Sequence, residues 1–404
     1  MRNSNPEITF VLPQNRVASL DILRGFALMG IAIVNILGFN ASFFDFGGFY
    51  NALPDPAQLH FYQVLIGLSA DKFIFLYSFL FGYGIWMQLQ RFNLQGGNFP
   101  AFFSRRMAVL LAFGIAHVLF LWAGDILIPY AIAGMVVLFL RKLPVSRLLI
   151  LGFFFYFFVV IWLILSVWFK LPNALSSTCP ACLSQALDVY AHGDYFQILK
   201  LRLIEYAAFF PVNLLYYLPK IMGITLFGFV ASKLQLHKNI ITHRIRWLII
   251  TPLVAGLAIA AYLYYEELAI TMTPAESPFL TASYMMSYEL MNLVMALAYI
   301  LIILLLSAFK VLQWILKPIS YPGRMSLTNY LLQSVLFGFI FYGWGWGFFG
   351  WQNPSQIELF AIFVFILEII ISYLWLQKFN QGPLESIWRK LSYRSRSWKN
   401  HSDS

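Results

Sequence analysis

The residues of this sequence best suited to chemistry are a histidine and an aspartate eight positions apart. Gly114-Ile115-Ala116-His117 is followed by Trp122-Ala123-Gly124-Asp125-Ile126-Leu127 and then Tyr130. A tight turn here would bring Asp125 back towards the end of the helix that bears His117. A carboxylate beside a histidine orients the ring and raises its basicity, which is what a general base requires. The structural alternative is a buried histidine bonded to a helix carbonyl. His60 is a second candidate base, placed after the proline-rich Leu53-Pro54-Asp55-Pro56 and eleven residues ahead of Asp71. Asp71 and Lys72 are adjacent, so on a helix they point to different sides and need separate partners. Asp71 facing a helix bundle is the functional reading.

Two further groups carry charge or amide where an apolar chain has no ordinary use for it. In Leu20-Asp21-Ile22-Leu23-Arg24-Gly25, Asp21 and Arg24 are three residues apart and share a helix face, where they can pair. Asn35, eleven residues beyond Arg24, returns to that face after about three turns. Near the end of the chain, Arg324 precedes Thr328, Asn329, Gln333 and Ser334. These are too many polar groups for a lipid-facing helix. They imply interhelical hydrogen bonding or a polar substrate groove, and the planar fork of Arg324 matches phosphate oxygens.

The elements that must position these residues are membrane helices. The chain of 404 residues is 60% hydrophobic and 11% charged, whereas a soluble domain is about 45–50% apolar and about 25% charged. Such a chain cannot cover a core with polar surface in water. Long apolar runs without a two-residue period favour helices over a barrel. Spans are expected at about 18–40, 66–90, 104–122, 125–141, 147–169, 205–232, 245–265, 283–308, 325–344 and 356–378. Pro211 and Pro219 interrupt the segment 196–217 and suggest an interfacial helix ahead of the sixth span. Arginine and lysine cluster in alternate connections, while 41–65, 265–282 and 345–355 hold neither. The positive-inside rule then places both termini in the cytoplasm. Lys170, Lys200 and Arg202 are the exceptions.

The fold class expected is therefore all-α: a polytopic membrane bundle of about ten helices, one domain over 1–404, with a basic cytoplasmic tail at 379–404. The net charge of +10 lies in loops and tail, so it speaks for orientation and not for nucleic acid. His237, His243 and His401 fall on the cytoplasmic side as solvated surface. Cys179 and Cys182, the two cysteines, have no second ligand pair for zinc, which leaves a small disulfide or two thiols and no metal site. Ionisable groups within spans cost roughly 2.5–3.5 kcal/mol each. Asp71, Glu289 and Glu368 could relay protons in a transporter or permease. The Pro211 and Pro219 interruption has no evident counterpart, which counts against an inverted-repeat carrier.

Four ordered motifs resemble the bacterial YeiB family, also called domain of unknown function 418. They are Leu20-Asp21-x-x-Arg24-Gly25 with Asn35; Gly114-x-x-His117 with Gly124-Asp125-Ile126-Leu127-x-x-Tyr130; Gly323-Arg324-Met325-x-Leu327-Thr328-Asn329-Tyr330-x-x-Gln333-Ser334; and Gly382-Pro383-Leu384-Glu385-x-x-Trp388-Arg389. The resemblance covers nearly the whole chain and implies a multi-pass protein of the bacterial inner membrane. The first two helices also resemble membrane acyltransferases of the heparan glucosaminide acetyltransferase type. That likeness implies transfer of an acyl group from cytoplasmic acetyl-CoA or acyl-CoA to a small-molecule, lipid or glycan acceptor. In that enzyme a histidine shortly before an Ala-Asp pair is catalytic, and His60 is the nearest match to it here. On this reading Arg24 and Arg324, with Asn329, hold coenzyme A. His117 or His60, oriented by Asp125 or Asp71, is the outer-side base. Asn35 donates to the developing negative charge.

Overall fold

The computed structural model describes residues 17–94, 98–169, 180–271 and 278–393. Cys179, Lys170, His401 and the basic residues from Arg394 onward lie outside the described residues. Cys182 is disulfide-bonded. Eighteen α-helices and no strand occur among the described residues. In chain order they are α1 (Ala18–Asn40), α2 (Phe46–Asn51), α3 (Pro56–Ser69), α4 (Lys72–Leu94), α5 (Phe99–Phe120) and α6 (Leu127–Leu140). Next come α7 (Val145–Tyr156), α8 (Phe158–Trp168), α9 (Pro180–His192), α10 (Tyr195–Val212), α11 (Leu218–Lys233) and α12 (Leu236–Thr242). The last six are α13 (Arg244–Thr271), α14 (Pro278–Leu306), α15 (Lys310–Arg324), α16 (Ser326–Phe341), α17 (Pro354–Lys378) and α18 (Pro383–Ser392).

The protein is a multi-pass membrane bundle. Among the described residues seven segments are long and apolar enough to cross a bilayer, and α7 with α8, bent by 50° at their junction, makes an eighth. The helices α6 and α16 occupy the other two expected spans, with 14 and 16 residues. At 1.5 Å per residue they rise only about 21 and 24 Å, short of a hydrocarbon core about 30 Å thick. Non-helical backbone at that depth must be enclosed by protein, and it is. In the turn after α5, Trp122, Ala123 and Asp125 are buried. After α16, the Gly343 and Gly350 amides donate to the carbonyls of Tyr190 and Asn40.

The segment 196–217 differs from expectation. Instead of an interfacial helix, α10 continues into α11 through a π turn over Asn213–Tyr217, forming one 39-residue apolar span. Proline's ring collides with the carbonyl four residues back. For Pro219 that carbonyl belongs to Leu215, inside the π turn, where the wider coil relieves the clash. The charge exception at Arg202 also has a physical cause. Its side chain is buried, donates to the Leu119 carbonyl at 3.2 Å and faces the Tyr342 ring. It satisfies the end of α5 and is no loop charge; Lys200 is exposed.

Two helices organise the interior. The first, α1, packs against α4, α14, α15, α16 and α17, while α11 packs against α4, α6 and α7. By contrast α13 leans mainly on α14 and presents Ile245, Leu253 and Leu263 outward to lipid. The described ends meet: Val17 and Trp388 line a common pocket, so both lie on the face with the basic loops. Part of the expected tail is structured, since α18 docks on α5 and α16.

Candidate active site

A cleft of about 340 Å³ opens between α1, α4, α5, α6, α15, α16 and α18 on the basic face. Arg24, Arg91, Arg106 and Arg324 line it with Asp21 and Glu385. Close helix contact brings the first and last of these arginines together. Where α1 crosses α15, a Cβ on Gly25 would strike the Ile319 carbonyl, and one on Gly323 the Asp21 carbonyl. Only glycine permits that approach, which sets Arg24 and Arg324, each next to a crossing glycine, on one cavity.

Arg24 donates to Asp21 at 2.6 Å, the pair expected from their spacing. Arg106 stacks on Trp388 with its guanidinium carbon 3.6 Å from the ring centroid, and the Trp388 indole donates to the Arg106 carbonyl. The Nε of Arg324 is buried with no protein acceptor. Glu385 accepts from the Leu327 and Thr328 amides at 2.7 and 3.1 Å and from the Thr328 hydroxyl at 2.6 Å. It thereby caps α16, which has no side-chain cap of its own. Burial pushes its carboxyl above the usual glutamate range.

The second centre lies deeper. His117 Nδ1 is 3.0 Å from an Asp125 carboxylate oxygen, and His117 Nε2 is 2.9 Å from Ser334 Oγ. The other Asp125 oxygen accepts from the Ile128 amide at 2.7 Å, which fixes the turn. Gly114 makes room for that turn, because a Cβ there would press on the Ile128 amide and the Asp125 carboxylate. The His117 and Asp125 side chains are 0% and 1% exposed. Trp122 stacks on Phe39 at 4.5 Å, and Arg202 and Tyr195 bond the last carbonyls of α5. His117, expected on the outer side of the bundle, is buried near the end of α5.

The two centres are stacked on shared helices. Leu110 and Leu327 line the cleft, and His117 and Ser334 each follow one of them by seven residues. That is two turns on the same face, a rise of about 10.5 Å.

A third centre joins α4, the π turn, α11 and α14. Lys220 Nζ lies 2.9 Å from Asp71, 2.7 Å from Glu289 and 2.8 Å from the Tyr216 hydroxyl. Tyr216 in turn donates towards both carboxylates, at 2.7 and 2.9 Å. Asp71 has φ of +62°, a left-handed conformation at the break between α3 and α4. Lys72 points elsewhere, as adjacency requires, and its ammonium is buried 5.8 Å from the centroid of the Tyr288 ring.

Of the expected residues, Arg24 and Arg324 share one cavity, and His117 and Asp125 are joined. Asn329 is not in the cleft: it bonds the Pro322 carbonyl and Ser372, tying α16 to α15 and α17. His60 is exposed on α3 and takes no part in the bonds of Asp71. Asp71 orients no histidine, because Lys220 holds it. Asn35 is half-buried and is not among His117's partners. Sequence reasoning passed over Arg91 and Arg106, which read as orientation signals, and the pairing of Ser334 with His117, which are 217 residues apart.

Comparison with known proteins places the chain among relatives along its whole length. A family model described as protein of unknown function DUF418 matches residues 231–395. The Bacillus subtilis protein YxaH is 30% identical over 95% of this chain and 96% of its own length. A 39.9 kDa protein encoded beside an amylase gene of Bacillus acidopullulyticus is 26% identical over 94% of each chain. YeiB of Escherichia coli is also 26% identical, over 94% of this chain and 97% of its own. All three are described as uncharacterized.

Proposed function

The chain belongs to the DUF418 family, and from that premise we propose that it is an acyl-CoA-dependent acyltransferase of the bacterial cytoplasmic membrane. It takes the acyl donor at the basic face and passes the acyl group to a hydroxyl or amine of a cell-envelope acceptor. The observation that carries this reading is the stacking of an arginine-lined cleft beneath a buried His117–Asp125 pair on the same two helices. Coenzyme A presents phosphates that Arg24, Arg91 and Arg324 can bind through charge-assisted hydrogen bonds, and an adenine that the Trp388 face can meet. His117 then sits about two helical turns deeper, where the acyl end of the donor would reach. Asp125 only accepts hydrogen bonds when ionised, so it holds the imidazole proton on Nδ1 and leaves Nε2 as the base.

The test is binding of acetyl-CoA and palmitoyl-CoA to the detergent-purified protein. Saturable binding lost in Arg24→Ala and Arg324→Ala supports the reading. A folded protein that binds neither defeats it.

A proton-coupled transporter is the second reading, and one observation favours it. The α3–α4 break and the π turn after α10 converge on the buried Lys220 ion cluster, and helix breaks at buried charges are where carriers bind and relay ions. Substrate-dependent pH change inside proteoliposomes, abolished by Asp71→Asn, would select it.

A further inference from the structure

We infer that Ser334 is a nucleophile that receives the acyl group before the acceptor does, so that transfer proceeds through an acyl-serine. This deepens the acyltransferase reading and rests on it.

The argument begins with proton placement. The Asp125 carboxylate can only accept from His117 Nδ1, so Nδ1 carries the hydrogen and Nε2 a lone pair. The side-chain atom within hydrogen-bond reach of Nε2 is Ser334 Oγ, at 2.9 Å. An incoming acceptor cannot use Nε2 as base while that hydroxyl holds it. The proton the base is set to remove is therefore the serine's own, the relation that activates a serine for covalent catalysis. The competing partner of Ser334 is the Tyr330 carbonyl, at 3.3 Å, a longer bond of the kind any helical serine makes one turn back. Depth points the same way. Ser334 is 3% exposed, so water is kept from the ester that would form there. It also follows Leu327 of the cleft wall by two turns, which places it on the helix face that lines the cleft.

The steps balance. Ser334 Oγ attacks the thioester carbonyl, its proton passing to His117 Nε2. The carbon–sulfur bond breaks, and His117 returns the proton to the departing thiolate, giving free coenzyme A and O-acyl-Ser334. The acceptor hydroxyl or amine then gives its proton to His117 and attacks the ester carbon. The bond to Oγ breaks, and Oγ recovers the proton.

The experiment is incubation of the full-length protein in detergent with acetyl-CoA or palmitoyl-CoA and no acceptor, followed by intact mass and peptide mapping. The expected result is one acyl group on Ser334, absent in Ser334→Ala and formed at least about a hundredfold more slowly in His117→Gln. Unchanged acyl-CoA binding by Ser334→Ala shows that this variant is folded. Saturable binding with no adduct at Ser334, or undiminished transfer by Ser334→Ala, overturns the inference and leaves the acyltransferase reading standing. If neither acyl-CoA binds, that reading fails, and a fluorophosphonate reagent decides on the serine separately. His117-dependent labelling of Ser334 keeps it as an activated nucleophile, and no labelling overturns it.

Discussion

Replacing Lys220 by methionine removes one ammonium and leaves two carboxylates facing each other in a closed interior. The Lys220, Asp71 and Glu289 side chains are 2%, 8% and 0% exposed. Lys220 Nζ reaches both carboxylates within 3 Å. In the variant the bridge between them is the hydroxyl of Tyr216, which has one proton for two acceptors. Removing one partner of a buried ion pair costs about 3–5 kcal/mol. Here two partners lose the same cation and then repel each other, so at least the upper end of that range is expected. The cost is electrostatic, and removing the charges should therefore recover it. The triple variant Lys220→Met, Asp71→Asn, Glu289→Gln should return most of the loss, because a buried ion cluster exchanged for neutral groups of similar size is often energetically indifferent. Unfolding in mixed detergent–dodecylsulfate micelles gives both numbers. A single variant within about 1 kcal/mol of the parent, or a triple variant no better than the single one, would refute the assignment of this cluster as a paired, desolvated ion site.

Other perturbations test the remaining arguments. Arg24→Ala and Arg324→Ala should each weaken acyl-CoA binding by roughly tenfold to a hundredfold, the worth of a charged hydrogen bond of about 1.5–3 kcal/mol. Lysine should restore only part, since it lacks the bidentate fork; equal affinity in the alanine variants would remove these residues from the donor site. Gly323→Val should cost about 1–3 kcal/mol by overpacking against α1 and weaken acyl-CoA binding as well, because it pushes the two arginines apart. Stability assays and titration read the two effects separately. Asp125→Asn should lower transfer about a hundredfold or more by releasing the His117 tautomer, seen in turnover while acyl-CoA binding is kept. His237, in the short helix α12 on the basic face, bonds Tyr83 and is held below the usual histidine value of 6.5 by burial and by neighbouring Lys238. The unfolded chain then binds more protons than the fold, so stability rises with pH across that interval. The contribution is present above about 6.5 and is lost as pH falls through the lower folded value. Hydrogen exchange of α12 should quicken on acidification in the parent and be flat in His237→Ala.

What the sequence made legible follows from the range of each interaction. Asp21 with Arg24 and His117 with Asp125 lie within eight residues, so helix spacing and one turn determine them. The apolar runs located the long spans because lipid gives the backbone no partner but itself. Charge signals were harder to interpret, since an arginine at a helix end looks alike whether it orients the chain or lines a cleft. Arg91 and Arg106 proved to face the cleft with Arg24 and Arg324. Long-range pairings left no local trace: Ser334 meets His117 from another helix, and Lys220 gathers Asp71 and Glu289 from two. Asn329, by type a ligand-binding residue, instead bonds the carbonyl that Pro322 places beside it. The turn of the chain through Pro211 and Pro219 depends on a π turn whose hydrogen-bond register no side-chain pattern encodes.

The balance of charge in the two polar centres argues for where a ligand binds. In the inner cluster Lys220 sits between Asp71 and Glu289 and bonds both, so the charges there already have their partners. A paired, filled cluster has structural value and offers a charged solute no vacant partner. In the cleft, four arginines face Asp21 and Glu385. Asp21 is bonded to Arg24, and Glu385 is turned to the backbone amides at the start of α16. Even with both carboxylates ionised the cleft keeps two positive charges, and the burial that raises the Glu385 carboxyl increases that excess. Arg324 adds a buried Nε with no acceptor, a desolvated donor that a ligand oxygen would satisfy. The excess charge, the unpaired donor and the Trp388 ring all occur in the cavity that opens on the basic side. An anion with a planar ring, such as the proposed acyl-CoA donor, would suit this combination, and on that proposal it enters from the side on which His117 lies two turns deeper.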